Sequence, residues 1–225
     1  MTNKGMLTVA VICVGLALAG LPVRGQAVNE GVSKTNGGNT VLVGAPAQPF
    51  TPAVRPSSEL VKIYSTLGTG HNVYSVLSGF GILGTNTGQL YPEMVANGFR
   101  PKADHLVTEV QVGATHYMGT NALVVSLNQD NKGVPGKVLH TWHFTDLPAV
   151  WSCCTLQTGK YAKGIKVKKG KMYWVVLRPE KDFQDTWDIW ADNIAGKEGP
   201  TFANNIGSGW DPSYQTLSAV GVFGK

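Results

Sequence analysis

Two cysteines stand side by side in Trp151-Ser152-Cys153-Cys154, and the only other cysteine is Cys13. In an oxidising compartment, adjacent thiols have three fates: a ring with each other, a bridge to a second chain, or two free thiols. A ring is demanding. Neighbouring Cα atoms across a trans peptide lie about 3.8 Å apart, inside the usual ~4.4–6.8 Å disulfide span. In a strand the two side chains point to opposite faces, so a ring requires a loop. Pro148 just upstream supplies a reason for one. Such a ring would serve as a stiff turn cap, a redox switch or a flat platform for a ligand.

Six tryptophans are many for one domain: 142, 151, 174, 187, 190 and 210. Indole faces bind the C–H faces of sugars, and buried indoles instead pack in a core with a partner for the N–H. In Thr186-Trp187-Asp188-Ile189-Trp190 the period of two puts Trp187 with Ile189, a core pairing. Trp190 falls with Asp188. Together with Asp192 and Asn193 they make a small polar-aromatic surface. Trp210 sits in a Gly-Ser-Gly-Trp-Asp-Pro stretch that reads as a loop, and Trp151 adjoins the cysteines. Trp151, Trp190, Trp210, Asp188, Asp192 and Asn193 are therefore the candidate ligand contacts.

Metal chemistry finds little support. His140 and His143 are three apart in a strand run and face opposite ways. No HExxH and no Cys/His zinc spacing occurs. Asn128-Gln129-Asp130 opens like a calcium loop, but Lys132 and Leu139 fall where ligands belong. A different structural calcium site would draw on Asp130, Asp182, Asp185 or Asp188. No cofactor is expected otherwise. No GxSxG, Walker loop or dinucleotide fingerprint is present. Glu180 and Asp182 would serve a glycan hydrolase only if a cleft held two acids about 5–9.5 Å apart.

The elements that carry these residues are short. From Leu60 onward, β-type runs alternate with Gly, Asn, Asp and Pro turns: 61–67, 72–77, 94–99, 106–117, 122–129, 137–144, 164–179, 185–193, 200–205 and 216–224. In Leu106–Tyr117, Val110 and Val112 share one face, and Glu109 and Gln111 the other. Residues 164–179 read as a hairpin turning at Lys169-Gly170. No stretch carries a helical stripe. The reading is an all-β chain, an antiparallel β-sandwich of about ten strands in a jelly roll.

The order Phe99–Val112, Leu123–Leu139 and Gly164–Leu177 resembles a group of secreted bacterial β-sandwich domains, the choice-of-anchor R domains. The Asp130, Gly133, Pro135, Gly136 turn and the Gly170, Tyr173, Trp174 segment carry most of the likeness, which spans about 61–225. The resemblance implies an exported surface or secreted module with no assigned catalysis.

The N-terminus agrees with export. Lys4, an apolar run from Met6 to Val23, then Gly25 and Ala27, form a signal peptide over 1–27. Residues 28–59 are rich in Gly, Asn, Thr and Pro and read as a flexible leader, with 60–225 as the domain. The expected location is secreted or periplasmic, with no membrane span after cleavage. Residues 1–27 hold Lys4 and Arg24 and no acid, so 19 bases against 14 acids become 17 against 14, a charge of +3. That excess does not call for nucleic acid. The lysines at 160–171 read as a solvated strand face and turns, with attachment to acidic polysaccharide, nucleic acid or a membrane surface as the functional alternative. The sequence thus points to a non-catalytic binding module for a polysaccharide or cell-envelope glycan. Its rival is an adhesion or assembly module linked through Cys153 and Cys154.

Overall fold

A computed structural model describes residues 32–36, 39–43 and 59–225, except 90, 182 and 183. The expected signal peptide and most of the expected leader lie outside the described residues. Among the described residues, fifteen strands follow in order: β1 (Val32–Asn36), β2 (Asn39–Val43), β3 (Val61–Ser65), β4 (Ser78–Leu83), β5 (Met94–Phe99), β6 (His105–Val112), β7 (Ala114–Met118), β8 (Ala122–Asn131), β9 (Val134–Thr145), β10 (Gln157–Val167), β11 (Tyr173–Pro179), β12 (Trp187–Ala191), β13 (Glu198–Asn205), β14 (Trp210–Thr216) and β15 (Val220–Gly224). They form three antiparallel sheets, ordered β1-β2-β4-β12-β7, β10-β6-β15-β3 and β14-β13-β5-β11-β8-β9. The all-β sandwich read from the sequence is the observed fold.

The first two sheets are joined through one run of chain. β6 and β7 are separated only by Gly113, whose N–H donates to Ala219 O (3.1 Å) and whose carbonyl accepts Ala191 N–H (2.8 Å). A side chain there would meet the Tyr74 ring at 2.6 Å, so the bend requires glycine. The main core lies between this bent layer and the six-stranded sheet. Ile82 and Trp190 enter from the first sheet, Val110, Val112 and Val222 from the second, and Leu123, Val125, Val175 and Leu177 from the third. At one edge Trp142 of β9 covers Gly159 of β10 and donates its indole N–H to Lys160 O (3.1 Å).

The six-stranded sheet curls away from this core. Cα atoms of its edge strands, β14 and β9, come within 8 Å of each other. The concave side holds its own small cluster of Ala96, Trp174, Val176 and Ala203, with Met172 and Trp210 packed on it.

Several expectations change. Residues 164–179 are not a hairpin: β10 pairs with β6, whereas β11 pairs with β5 and β8. Ile165 and Val167 face the same core as Tyr173 and Val175, but from opposite layers, so the turn bridges the sandwich. Residues 72–77 are not a strand. Ser75 Oγ accepts the amides of Leu77 (3.1 Å) and Ser78 (3.2 Å), a turn that sets the start of β4. Val110 and Val112 face the core as expected, but Glu109 and Gln111 are buried too, joined by a 2.9 Å hydrogen bond. The stretch around Trp210 is strand β14, with Pro212 on the sheet edge where a missing N–H costs nothing. The expected leader contributes β1 and β2, and β2 pairs with β4.

Candidate functional site

The tryptophan surface does not form. Trp190 is fully buried in the main core, and its indole N–H donates to Ala219 O (2.9 Å). β12 lies between β4 and β7, and both of its faces are covered. Trp187 and Ile189 on the other face pack with Leu83 and Trp151, so Trp151 is also buried. Trp210 alone of the six is half-exposed. Five buried indoles remove the pair of exposed tryptophans that a stacking platform needs. Both faces of β12 are covered, and alternation alone does not reveal that.

The polar candidates are interior groups as well. Asp188 Oδ1 lies 2.8 Å from His116 Nδ1 on the neighbouring strand. Burial raises its carboxyl from the ordinary value to about 6, against a smaller lowering by His116. Burial likewise raises Asp192 to about 6, opposed by Ser78. Asn193 is a loop clasp. Its Nδ2 donates to Lys197 O (2.8 Å) and Leu217 O (2.5 Å), and its Oδ1 accepts Lys197 N–H (2.9 Å).

Cys153 and Cys154 are bonded to each other across a cis peptide. They pack with Val73, Tyr74, Leu156, Ala191 and Ala219, and Cys154 is fully buried. The Tyr74 hydroxyl spans the same turn, near Ser152 O (3.2 Å) and Thr155 O (3.5 Å). The pair is therefore neither an exposed platform nor a bridge between chains. Among the described residues no three His, Cys, Asp or Glu side chains converge as a metal site. Asp130 holds Trp174 Nε1 (2.8 Å), far from Asp188 in another sheet. Asp182 lies outside the described residues.

A groove of about 250 Å³ opens instead where β4, β5, β11 and β13 end. Leu83, Pro92, Met94 and Pro179 supply its apolar wall, and Arg178, Glu180, Lys181, Gln184 and Asn205 supply its polar groups. Local structure fixes the rim. Gln184 Oε1 accepts Thr85 Oγ1–H (2.8 Å), and its backbone carbonyl accepts Asn86 N–H (2.7 Å). Asn205 Oδ1 accepts the amides of Gly207 (2.9 Å) and Gly209 (3.4 Å), which shapes the loop beside Pro92. Glu180 pairs with His143 at 2.8 Å. Trp210 is the register partner of Asn205, and Tyr91, 57% exposed, precedes Pro92. Sequence reading missed this groove except for Glu180. The available signal was Arg178-Pro179-Glu180, where the apolar run Val175–Leu177 ends in charge.

No family model matches the chain, and neither does any curated protein or solved structure.

Proposed function

We propose that this chain is an exported, non-catalytic β-sandwich module that binds a neutral glycan, with one sugar ring seated in the groove between Pro92 and Arg178. The carrying observation is the apolar wall of Leu83, Pro92, Met94 and Pro179 beneath a rim of Arg178, Gln184 and Asn205. A sugar has the matching character, with C–H faces for the wall and hydroxyls for the rim. The groove's 250 Å³ lies just under the roughly 300–1,000 Å³ of ordinary small-molecule sites, a size for a single ring. Glu180 is the one carboxylate among the described groove residues and is engaged by His143, which favours binding over two-acid hydrolysis. The signal-peptide pattern and the likeness to choice-of-anchor R domains support a role outside the cytoplasm.

Calorimetry against a panel of neutral oligosaccharides tests the reading. Arg178→Ala and Asn205→Ala should each weaken binding about tenfold, the ~1.4 kcal/mol scale of a lost hydrogen bond to a charged or buried partner. Undiminished binding in both variants, or no neutral glycan bound at all, would sink it.

A further inference from the structure

The far end of β11 carries a different surface. Two adjoining cavities of about 580 and 270 Å³ share Lys168. β11 runs from Tyr173, in the larger cavity, to Pro179, in the neutral groove. Six strand steps put the two sites roughly 20 Å apart.

The linings are cationic. Arg100, Lys166, Lys168, Lys171 and Lys225 stand against two acids, Asp104 and Asp130. That excess, five against two, equals the excess of 17 against 14 carried by all of residues 28–225. Outside these linings the remaining formal charges of residues 28–225 sum to zero, 12 against 12.

Both acids are already committed. Asp104 holds Lys168 Nζ and the Lys169 amide, each at 2.8 Å, and Asp130 holds Trp174 Nε1. Two of the cations, Arg100 and Lys168, are held in place. Arg100 Nη1 donates to Gly170 O (3.0 Å), Gly170 N–H to Pro101 O (2.9 Å), and Lys168 N–H to the Tyr173 hydroxyl (3.0 Å). Two cations already held lose less entropy on binding than loose side chains do.

We infer that this end is a second site, independent of the neutral groove, for an acidic polysaccharide, a polymer carrying carboxylate or sulfate groups at regular spacing. Charge complementarity selects a polyanion, and two contiguous cavities suit an extended chain over a single anion. A single-stranded nucleic acid would want exposed aromatic rings for its bases. Of the two rings in these walls, Tyr173 is buried with its hydroxyl engaged, and His105 is half-buried with its Nδ1 3.3 Å from Lys225 O.

The test is fluorescence anisotropy of the full secreted chain with labelled polygalacturonate and labelled heparin, at 50 and 200 mM salt. One or both should bind and weaken at least tenfold across that salt range, since released counterions drive the association. Arg100→Glu with Lys171→Glu should weaken binding tenfold or more. Lys160→Glu with Lys181→Glu carries the same charge change away from both cavities and should alter it less than twofold. Arg178→Ala should leave it unchanged, which separates this site from the neutral groove. If the glutamate pair disturbs the melting temperature, Arg100→Gln with Lys171→Gln replaces it with the same expectation at smaller size. Equal loss in the control pair, no binding to either polymer at 50 mM, or tighter binding to single-stranded DNA of equal charge would each overturn the proposal.

Discussion

Asp188 and Asp192 lie on or beside one central strand, and burial is the dominant influence on their chemistry. Each carboxyl rises from 3.8 to about 6. A group with a raised folded value binds its proton more tightly in the native state. Its stabilising contribution is therefore full below about pH 4 and lost as pH rises through 6. The gap corresponds to about 3 kcal/mol per group at the upper limit. Asp104 acts in the opposite direction. Its hydrogen bond to Lys168, then the Lys169 amide, holds its carboxyl low, but it is at the surface and screened. The expected outcome is a higher melting temperature at pH 4.5 than at pH 7.5. Asp188→Asn with Asp192→Asn should flatten that difference, as scanning calorimetry at both pH values would show. A rise in stability from pH 4.5 to 7.5 in the parent chain would contradict it.

At the element scale, β4 depends on a neighbour at each edge. β2 covers one edge of it, through Val41 to Phe80 and Val43 to Ser78, while β12 covers the other. Phe80 and Ile82 belong to the main core. Removing residues 28–58 would leave the core strands in place but free a row of backbone donors and acceptors along β4. Exposed edges invite pairing with another chain. The shortened protein should therefore self-associate in a concentration-dependent way by light scattering, while the intact chain does not. A monomeric shortened chain would show that β4 needs no cover. This is also where sequence reading was uneven. β5 and β12 were legible from their apolar residues, whereas β4 was not. Its Ser-Gly-Phe-Gly opening looks like a loop, and Gly79 is needed only because a side chain would strike Trp190 O at 2.6 Å. The contact that demands the glycine is a tertiary one.

At the scale of the whole molecule, the cysteines bear on assembly. Cys153 and Cys154 are bonded within one chain and packed against Tyr74 and Ala219. The chain of residues 28–225 should run as a monomer on a non-reducing gel and take up no alkylating reagent until it is both unfolded and reduced. A dimer that collapses on reduction would restore assembly through the cysteines as the leading idea.

The sequence by itself determined the class of the fold, because period-two alternation and turn residues are local physics. It also determined which residues are unusual, namely the cysteine pair, the six tryptophans and the lysines of 160–171. The tertiary structure decided which of them meet solvent. Trp190 is a core residue because β12 is flanked and covered, and Arg178 is a groove residue because four strands end beside it. Residues 164–179 cross between layers because their two apolar faces meet one core from opposite sides. Burial depends on neighbours distant in the chain, and no period in a single strand encodes them.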